Sequence, residues 1–293
     1  MKILLLGKNG QVGWELQRAL APIGHVVALD RQGADLARPD ALADTVRTLR
    51  PDVVVNAAGY TAVDKAESEP ELAHAVNAAA PAALAKAAAA VGAWLVHYST
   101  DYVFDGSGSA PRDESATTGP LSVYGRTKLE GEQAVAASGA KHLIFRTSWV
   151  YAARGGNFAR TMLRLAADRD SLRVVADQIG APTGAELIAD VTAHAIRAVQ
   201  ARAELAGLYH LAAAGETSWH GYARHVIAWA REHGQAIRVA PDAIQAIPTS
   251  DYPSPAARPL NSRLATGKLR EAFGLQLPPW QAGVERMLGE LLG

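Results

Sequence analysis

Lys2-Ile-Leu-Leu-Leu6 runs directly into Gly7-Lys8-Asn9-Gly10-Gln11-Val12-Gly13, and a helical pattern opens at Gln11. A short apolar run, a glycine-spaced loop and a helix start in that order read as the first strand–loop–helix unit of a dinucleotide-binding sheet. Gly7 permits a tight turn, Gly10 lets backbone approach a pyrophosphate, and Gly13 lets helix and strand pack closely. The helix start then offers unpaired N–H groups to phosphate oxygens.

Working outward, the same alternation repeats. Apolar runs at Lys2–Leu6, His25–Leu29, Asp52–Asn56, Trp94–Ser99 and His142–Arg146 are continuous rather than alternating, as in parallel strands covered on both faces. Helical patterns lie between them at Gln11–Ala21, Pro39–Leu49, Glu69–Val91 and Ser122–Ala137. The Ala-rich stretch Ala78–Ala90 reads as helix, with Leu84 and Val91 on its seated face. This order predicts an α/β fold: a Rossmann-type doubly wound parallel sheet with right-handed crossovers. Beyond Trp149 the pattern loosens into helices at Asn157–Ala167, Ala185–Ala201, Trp219–His233 and Pro279–Leu292, with Ile247–Pro259 as loop. The expected division is a dinucleotide-binding domain over 1–150, to which later segments return, and a smaller substrate-binding lobe over 151–293.

Composition narrows the class. The 293 residues contain 49% hydrophobic and 20% charged residues, ordinary for a globular enzyme. Lys+Arg and Asp+Glu are both 29, so a formal charge of zero gives no case for nucleic acid or an anionic membrane surface. With no cysteine there is no disulfide framework, thiolate nucleophile or Cys-ligated zinc. The apolar start, Ile3 to Leu6, is too short for a signal segment, and no apolar run reaches membrane-spanning length. The expectation is a cytoplasmic protein.

Further cofactor residues follow from the strand ends. Asp30 closes the second strand, where a carboxylate accepts from ribose hydroxyls; that favours NADH, whereas Arg31 would neutralise a 2′-phosphate, so NADPH and NADH both stay open. Asp35 and Leu36 suit the edge and face of an adenine. Asn56-Ala57-Ala58-Gly59 ends the third strand in small side chains that leave room for a flat cofactor at the sheet mouth. The cofactor set is thus Gly7, Gly10, Gln11, Val12, Gly13, Asp30, Arg31, Asp35, Leu36, Ala58, Gly59 and Tyr60, joined by Tyr124 and Lys128.

Tyr124-Gly-Arg-Thr-Lys128 carries the chemistry. A spacing of four puts phenol and ammonium on one helix face. The ammonium is expected to lower the phenol pKa from roughly 10, and the phenol to give a proton to a carbonyl oxygen as hydride reaches carbon. Such a pair also arises by chance on exposed helices. Here Ser99-Thr100-Asp101 precedes it at the end of the fourth strand, with Thr100 placed to orient a carbonyl and Asp101 nearer a substrate.

These strings resemble the extended short-chain dehydrogenases and, within them, the dTDP-4-dehydrorhamnose reductases. The resemblance spans nearly the whole chain. It includes Gly7–Gly13 with Trp14-Glu-Leu16, Ala62-Val-Asp-Lys-Ala-Glu67, Ser99–Asp105, Tyr124–Lys128, Arg146-Thr-Ser-Trp-Val-Tyr151, Asp177-Gln-Ile-Gly-Ala-Pro-Thr183 and Arg258-Pro-Leu-Asn-Ser262. It implies NAD(P)H-dependent reduction of the C4 ketone of a dTDP-linked 6-deoxyhexulose. Tyr124 would be the proton donor, Lys128 its partner and Thr100 the orienting hydroxyl. Val63, Thr100, Asp101 and Trp149 would contact the nucleotide sugar, and Arg258 could meet its diphosphate as a forked donor. Trp149 suits a sugar face or thymine ring, though indoles at strand ends usually pack in cores. Some relatives implied by the resemblance pair as homodimers through Mg²⁺ and others are monomeric. The expectation here is a homodimer with Glu15, Glu186 and Glu290 holding the ion at its contact, since carboxylate oxygens suit it, while glutamates on open helix faces are usually just solvated.

Two other classes share this fold. Similar dehydratases carry Thr-Asp-Glu where this chain has Thr100-Asp101-Tyr102, so loss of water lacks its base; an epimerase is set aside only by the resemblance. A non-catalytic dinucleotide-binding subunit, like the regulatory subunit of methionine adenosyltransferase, would not need the complete Thr100, Tyr124 and Lys128 set.

Overall fold

The computed structural model describes residues 1–293. The first half runs β1 (Lys2–Leu6), α1 (Gln11–Leu20), β2 (His25–Leu29), α2 (Pro39–Leu49), β3 (Val53–Asn56), short α3 (Val63–Ala66) and α4 (Pro70–His74), α5 (Ala80–Val91), β4 (Trp94–Thr100), α6 (Val123–Ala136) and β5 (His142–Thr147). The second half holds β6 (Val150–Tyr151), α7 (Phe158–Asp168), β7 (Leu172–Val175), β8 (Ile179–Gly180), β9 (Thr183–Gly184), α8 (Ala185–Ala201), β10 (Gly207–His210), β11 (Thr217–Ser218), α9 (Trp219–Glu232), β12 (Ile244–Ile247), α10 (Gly267–Phe273) and α11 (Trp280–Leu292).

Six parallel strands form the main sheet in the order β10-β5-β4-β3-β1-β2. The chain moves from β1 to β2 on one side and then to β3 on the other, so strand order reverses between β1 and β3. In open α/β sheets, ligands bind outside the carboxyl ends of the strands at such a reversal. The apolar runs of β1, β3, β4 and β5 are buried on both faces, whereas the edge strand β2 is only half-buried. On one face Leu16 and Leu20 of α1, Ile188, Ala195 and Val199 of α8, and Leu269 and Phe273 of α10 pack on Ile3, Leu5, Val53 and Val55. On the other, Leu42 and Val46 of α2 and Leu84, Ala85 and Ala88 of α5 pack on Leu4, Leu6, Val54 and Leu95.

The expected helix over Glu69–Val91 forms with an interruption. Residues Ala75–Ala79 are a π-helical turn joining α4 to α5. Pro81 has no N–H to donate back to Asn77 and its ring crowds that carbonyl, so the helix widens there. Away from the main sheet, Tyr151, Tyr222, Val226, Trp280, Val284 and Leu288 form one cluster and Met162, Ala166, Leu172, Ile227 and Ile244 another.

Three features depart from expectation. Gly207–His210 was unassigned in sequence, yet it is the sixth strand of the main sheet, and α8 covers that sheet beside α1. The stretch beginning at Ile247 is not all loop: Ile247 ends β12, which pairs with β7. Residues Gly267–Phe273 form α10, also unassigned in sequence. No helix is long and apolar enough to cross a membrane.

Candidate active site

A cleft of about 1120 Å³ opens at the carboxyl ends of β1, β3 and β4. Its wall contains Gly7, Gly10, Gln11, Val12, Asp30, Arg31, Asp35, Leu36, Ala58, Gly59 and Tyr60, and also Val63, Thr100, Asp101, Tyr124, Lys128 and Trp149. Residues read as separate signals along 150 positions thus share one cavity.

The glycine loop has the tightness its sequence demanded. Gly7 has φ of 84°, and a Cβ there would lie 2.8 Å from the Ala58 nitrogen. Gly13 sits behind the wall, where a Cβ would fall 2.0 Å from the Gly7 carbonyl oxygen. No side chain caps the start of α1, so its first-turn N–H groups remain open to an anion. Gln11 brings a buried Oε1 with no hydrogen-bond partner to the same wall. Asp30 accepts through Oδ1 from the Gln32 and Gly33 N–H groups and pairs through Oδ2 with Lys8 at 3.3 Å. The Gly33 bond, then Lys8, hold its carboxyl below the usual range. Arg31 reaches Asp35 at 3.6 Å with its side chain mostly exposed. These features fit a dinucleotide: a phosphate cradle beside a helix start, and at the ribose end a carboxylate paired with Lys8, with Arg31 next to it in the chain.

The side chains expected to carry the chemistry come from β4 and α6. Ser122 caps α6, its Oγ accepting from the Gly125 N–H at 3.1 Å. A Cβ on Gly125 would lie 2.3 Å from the Tyr102 carbonyl oxygen, so glycine lets α6 close onto the end of β4. That approach brings Tyr124 to Thr100. Burial pushes the Tyr124 phenol up to about 12, while a hydrogen bond with Thr100 works against the rise. The expected lowering of this phenol by Lys128 does not enter: burial is the largest cause, the Asp101 charge adds to the rise, and the phenol stays protonated at neutral pH.

Lys128 is buried, donates from Nζ to the Tyr98 carbonyl at 2.5 Å, and is brought down to about 8 by burial, with Glu132 opposing. Glu132, one turn on, is itself buried and takes a forked pair of hydrogen bonds from Arg146, at 2.9 Å from Nε and 2.7 Å from Nη2. Asp101 is buried, receives a hydrogen bond from Thr100 at 3.1 Å, and is raised to about 6 by burial; its Oδ2 has no partner. Tyr102, where dehydratases carry Glu, packs edge-on against Tyr124 with centroids 5.4 Å apart.

Arg258 lies outside the cleft wall, and its Nη2 donates to Asp64 Oδ2 at 2.8 Å. Glu15, Glu186 and Glu290 do converge, on a separate cavity of about 260 Å³. Arginines neutralise them, however: Arg286 lies 3.2 Å from Glu186 and 3.4 Å from Glu290, and Arg18 lies 3.4 Å from Glu15. No group of three or more acidic or histidine side chains is arranged to hold a metal ion.

Sequence reasoning missed several participants. Lys8 lies inside the glycine loop, and its pairing with Asp30 depends on how β1 and β2 align. Asn77 is buried beneath the cleft, accepting from the Tyr60 N–H at 2.9 Å and donating to the Tyr60 carbonyl at 3.0 Å and to Thr127 at 3.3 Å. Its signal was Pro81, four residues on, which marks the widened turn. Trp219 lines the cleft beside Trp149 and carried no signal beyond opening a helix.

The sheet reversal, the phosphate cradle and a protonated tyrosine beside a buried lysine define a nicotinamide-dinucleotide-dependent oxidoreductase of the short-chain dehydrogenase type. A family model described as the RmlD substrate binding domain matches residues 1–292. The dTDP-4-dehydrorhamnose reductase of Shigella flexneri is 59% identical, over 99% of this chain and 98% of its own. The crystal structure of a dTDP-4-dehydrorhamnose reductase from Clostridium acetobutylicum superposes with a TM-score of 0.91 at 36% identity, covering 100% of both chains. That from Bacillus anthracis, solved in complex with NADP, gives 0.88 at 35%, covering 99% of both. The chain belongs to the dTDP-4-dehydrorhamnose reductase family.

Proposed function

We propose that this chain reduces the C4 ketone of dTDP-4-dehydro-6-deoxy-L-mannose to the hydroxyl of dTDP-β-L-rhamnose, the last step of dTDP-L-rhamnose synthesis. The observation that carries this is the meeting of Thr100, Tyr124 and Lys128 in the cleft that also holds the glycine loop. A reduced nicotinamide dinucleotide, when bound, supplies the hydride. Gly7, Gly10, Gln11 and Val12 would hold its diphosphate with Gly13 packed behind them, Asp30 and Arg31 the adenosine ribose, Asp35 and Leu36 the adenine, and Ala58, Gly59 and Tyr60 the middle of the molecule.

Thr100 orients the ketone oxygen, and Tyr124 gives that oxygen its proton. A phenol titrating at about 12 is fully protonated at neutral pH, which is the form a donor needs. The phenolate left behind faces a buried ammonium on Lys128, whose charge the Glu132 carboxylate supports. Asp101, with an unpartnered Oδ2, accepts from a sugar hydroxyl; Val63 and Trp149 cover the apolar parts of the substrate.

Lys8 and Arg31 beside Asp30 support use of both NADPH and NADH. Both substrates are small soluble molecules, and we place the enzyme in the cytoplasm. The division into a dinucleotide-binding domain and a substrate lobe is proposed with 185–211 assigned to the former. A homodimer is carried over from the resemblance, supported by the exposed indole of Trp14 on α1; a single monomeric species in sedimentation velocity would remove it.

The deciding assay mixes purified protein, NADPH and the keto-sugar nucleotide. Loss of reduced-dinucleotide absorbance should accompany a product two hydrogens heavier than the substrate. A product lighter by one water, or no turnover with either dinucleotide, would refute the assignment.

A further inference from the structure

Trp149 ends the segment that leaves β5, with φ of 49°, a left-handed conformation that non-glycine residues avoid. Something must hold it there. Its carbonyl accepts from the Thr183 N–H at 3.2 Å, which fixes the backbone. The edge of its ring lies against Gly180, where a Cβ would come within 2.9 Å of Cε2. One ring face is covered by Trp219, stacked at 3.7 Å between centroids and 14° between planes.

Trp219 is in turn held by its own lobe. Its Nε1 donates to Gln178 Oε1 at 3.0 Å, Gln178 Nε2 donates to Thr249 Oγ1 at 3.1 Å, and Thr249 Oγ1 donates to Asp177 at 2.6 Å. Phe158 packs against its ring at 4.7 Å. Both indoles line the cleft, and Trp219 begins α9 of the small lobe whereas Trp149 leaves the main sheet.

We infer that Trp219 is a positioning residue for the nucleotide sugar: it backs Trp149 so that the opposite indole face is presented, at fixed depth, to the substrate's planar base or sugar face. The inference rests on the reading that Trp149 meets substrate. The two lobes then meet through a stacked pair, and the binding surface for the nucleotide sugar is set by a side chain behind it.

The test compares Trp149→Leu, Trp219→Leu and the double variant, with kcat and KM measured for the nucleotide sugar and for NADPH. An aromatic pair of this kind contributes an amount equivalent to about two- to tenfold in affinity. Trp219→Leu should raise the nucleotide-sugar KM by about that factor, with kcat and the NADPH KM kept. The double variant should be no worse than Trp149→Leu, since Trp219 acts through Trp149. Loss confined to Trp149→Leu would overturn the inference and leave the reading of Trp149 standing. No change in Trp149→Leu would remove that reading and the inference together. Independent, multiplying effects would make Trp219 a direct contact instead. Should Trp219→Leu not fold, Gln178→Leu keeps both rings and removes the Nε1 acceptor. It should raise the same KM, and an unchanged value there overturns the inference equally.

Discussion

Asp64 and Arg258, 194 positions apart, form one ion pair: Arg258 Nη2 donates to Asp64 Oδ2 at 2.8 Å. The other carboxylate oxygen accepts from the Ala256 N–H at 3.2 Å. Partial burial pushes the Asp64 carboxyl up, but the Arg258 hydrogen bond leaves it below its usual range. A half-exposed pair of this kind contributes no more than about 1 kcal/mol to stability. Its larger meaning is that the arginine suited to a diphosphate already has an anionic partner.

Replacing each member separately distinguishes a tie from a binding group. Arg258→Ala should raise the nucleotide-sugar KM, because both the tie and the guanidinium are lost. Asp64→Asn should leave that KM unchanged or lower it, because it removes only the competitor for the guanidinium. Melting temperatures should fall in both by only about 2–4 °C. Equal KM changes in the two variants would make Arg258 a structural tie alone.

Tyr124→Phe should lower kcat by about 10²–10⁴-fold, the usual contribution of a positioned acid. The ring still fills the wall beside Tyr102, so NADPH binding, followed by quenching of intrinsic fluorescence, should stay near normal. Near-normal turnover would remove Tyr124 as the donor.

The pH profile should carry a basic limb owed to Lys128 rather than to the phenol. Burial brings the Lys128 ammonium down to about 8, so its charge is present below that pH and lost as pH rises through it. Tyr124 keeps its proton to about 12 and adds no limb in this range. Rates from about pH 6 to about pH 10 should therefore fall above about 8. In Lys128→Arg, the residual activity should lose that limb, because guanidinium stays charged. A flat wild-type profile to pH 10 would show that the ammonium charge is not required.

Asp30→Ala should shift the kcat/KM ratio toward NADPH, since a like charge beside a 2′-phosphate disappears while Lys8 and Arg31 remain. An unchanged ratio of the two dinucleotides would take Asp30 out of cofactor choice.

What was legible in the sequence is what local chemistry dictates. The glycine spacing, the doubly buried apolar runs and the Tyr124–Lys128 spacing each constrain backbone or burial within a few residues, and all of them meet in the cleft. The ionisation of Tyr124 was not legible. Its sign depends on desolvation by chain segments brought together only in the fold. The partner of Arg258 and the arginines beside Glu186 and Glu290 escaped notice for the same reason: long-range charge pairing leaves no period in sequence. Gly207–His210 was missed because four residues ending in Tyr209 and His210 show no run long enough to separate a strand from a turn.

That short strand shapes the order in which the molecule can be built. Until α8 has been made, Ile3, Leu5 and Val55 are covered on that face by α1 alone among the first-half helices, and until residues 207–210 follow, β5 remains an edge strand. An unpaired edge beside a part-covered apolar face is a template for pairing with another chain. A fragment ending near residue 150 is therefore expected to aggregate more readily than the whole chain. The later part of the chain thus returns a strand and a helix to the sheet that the first half begins.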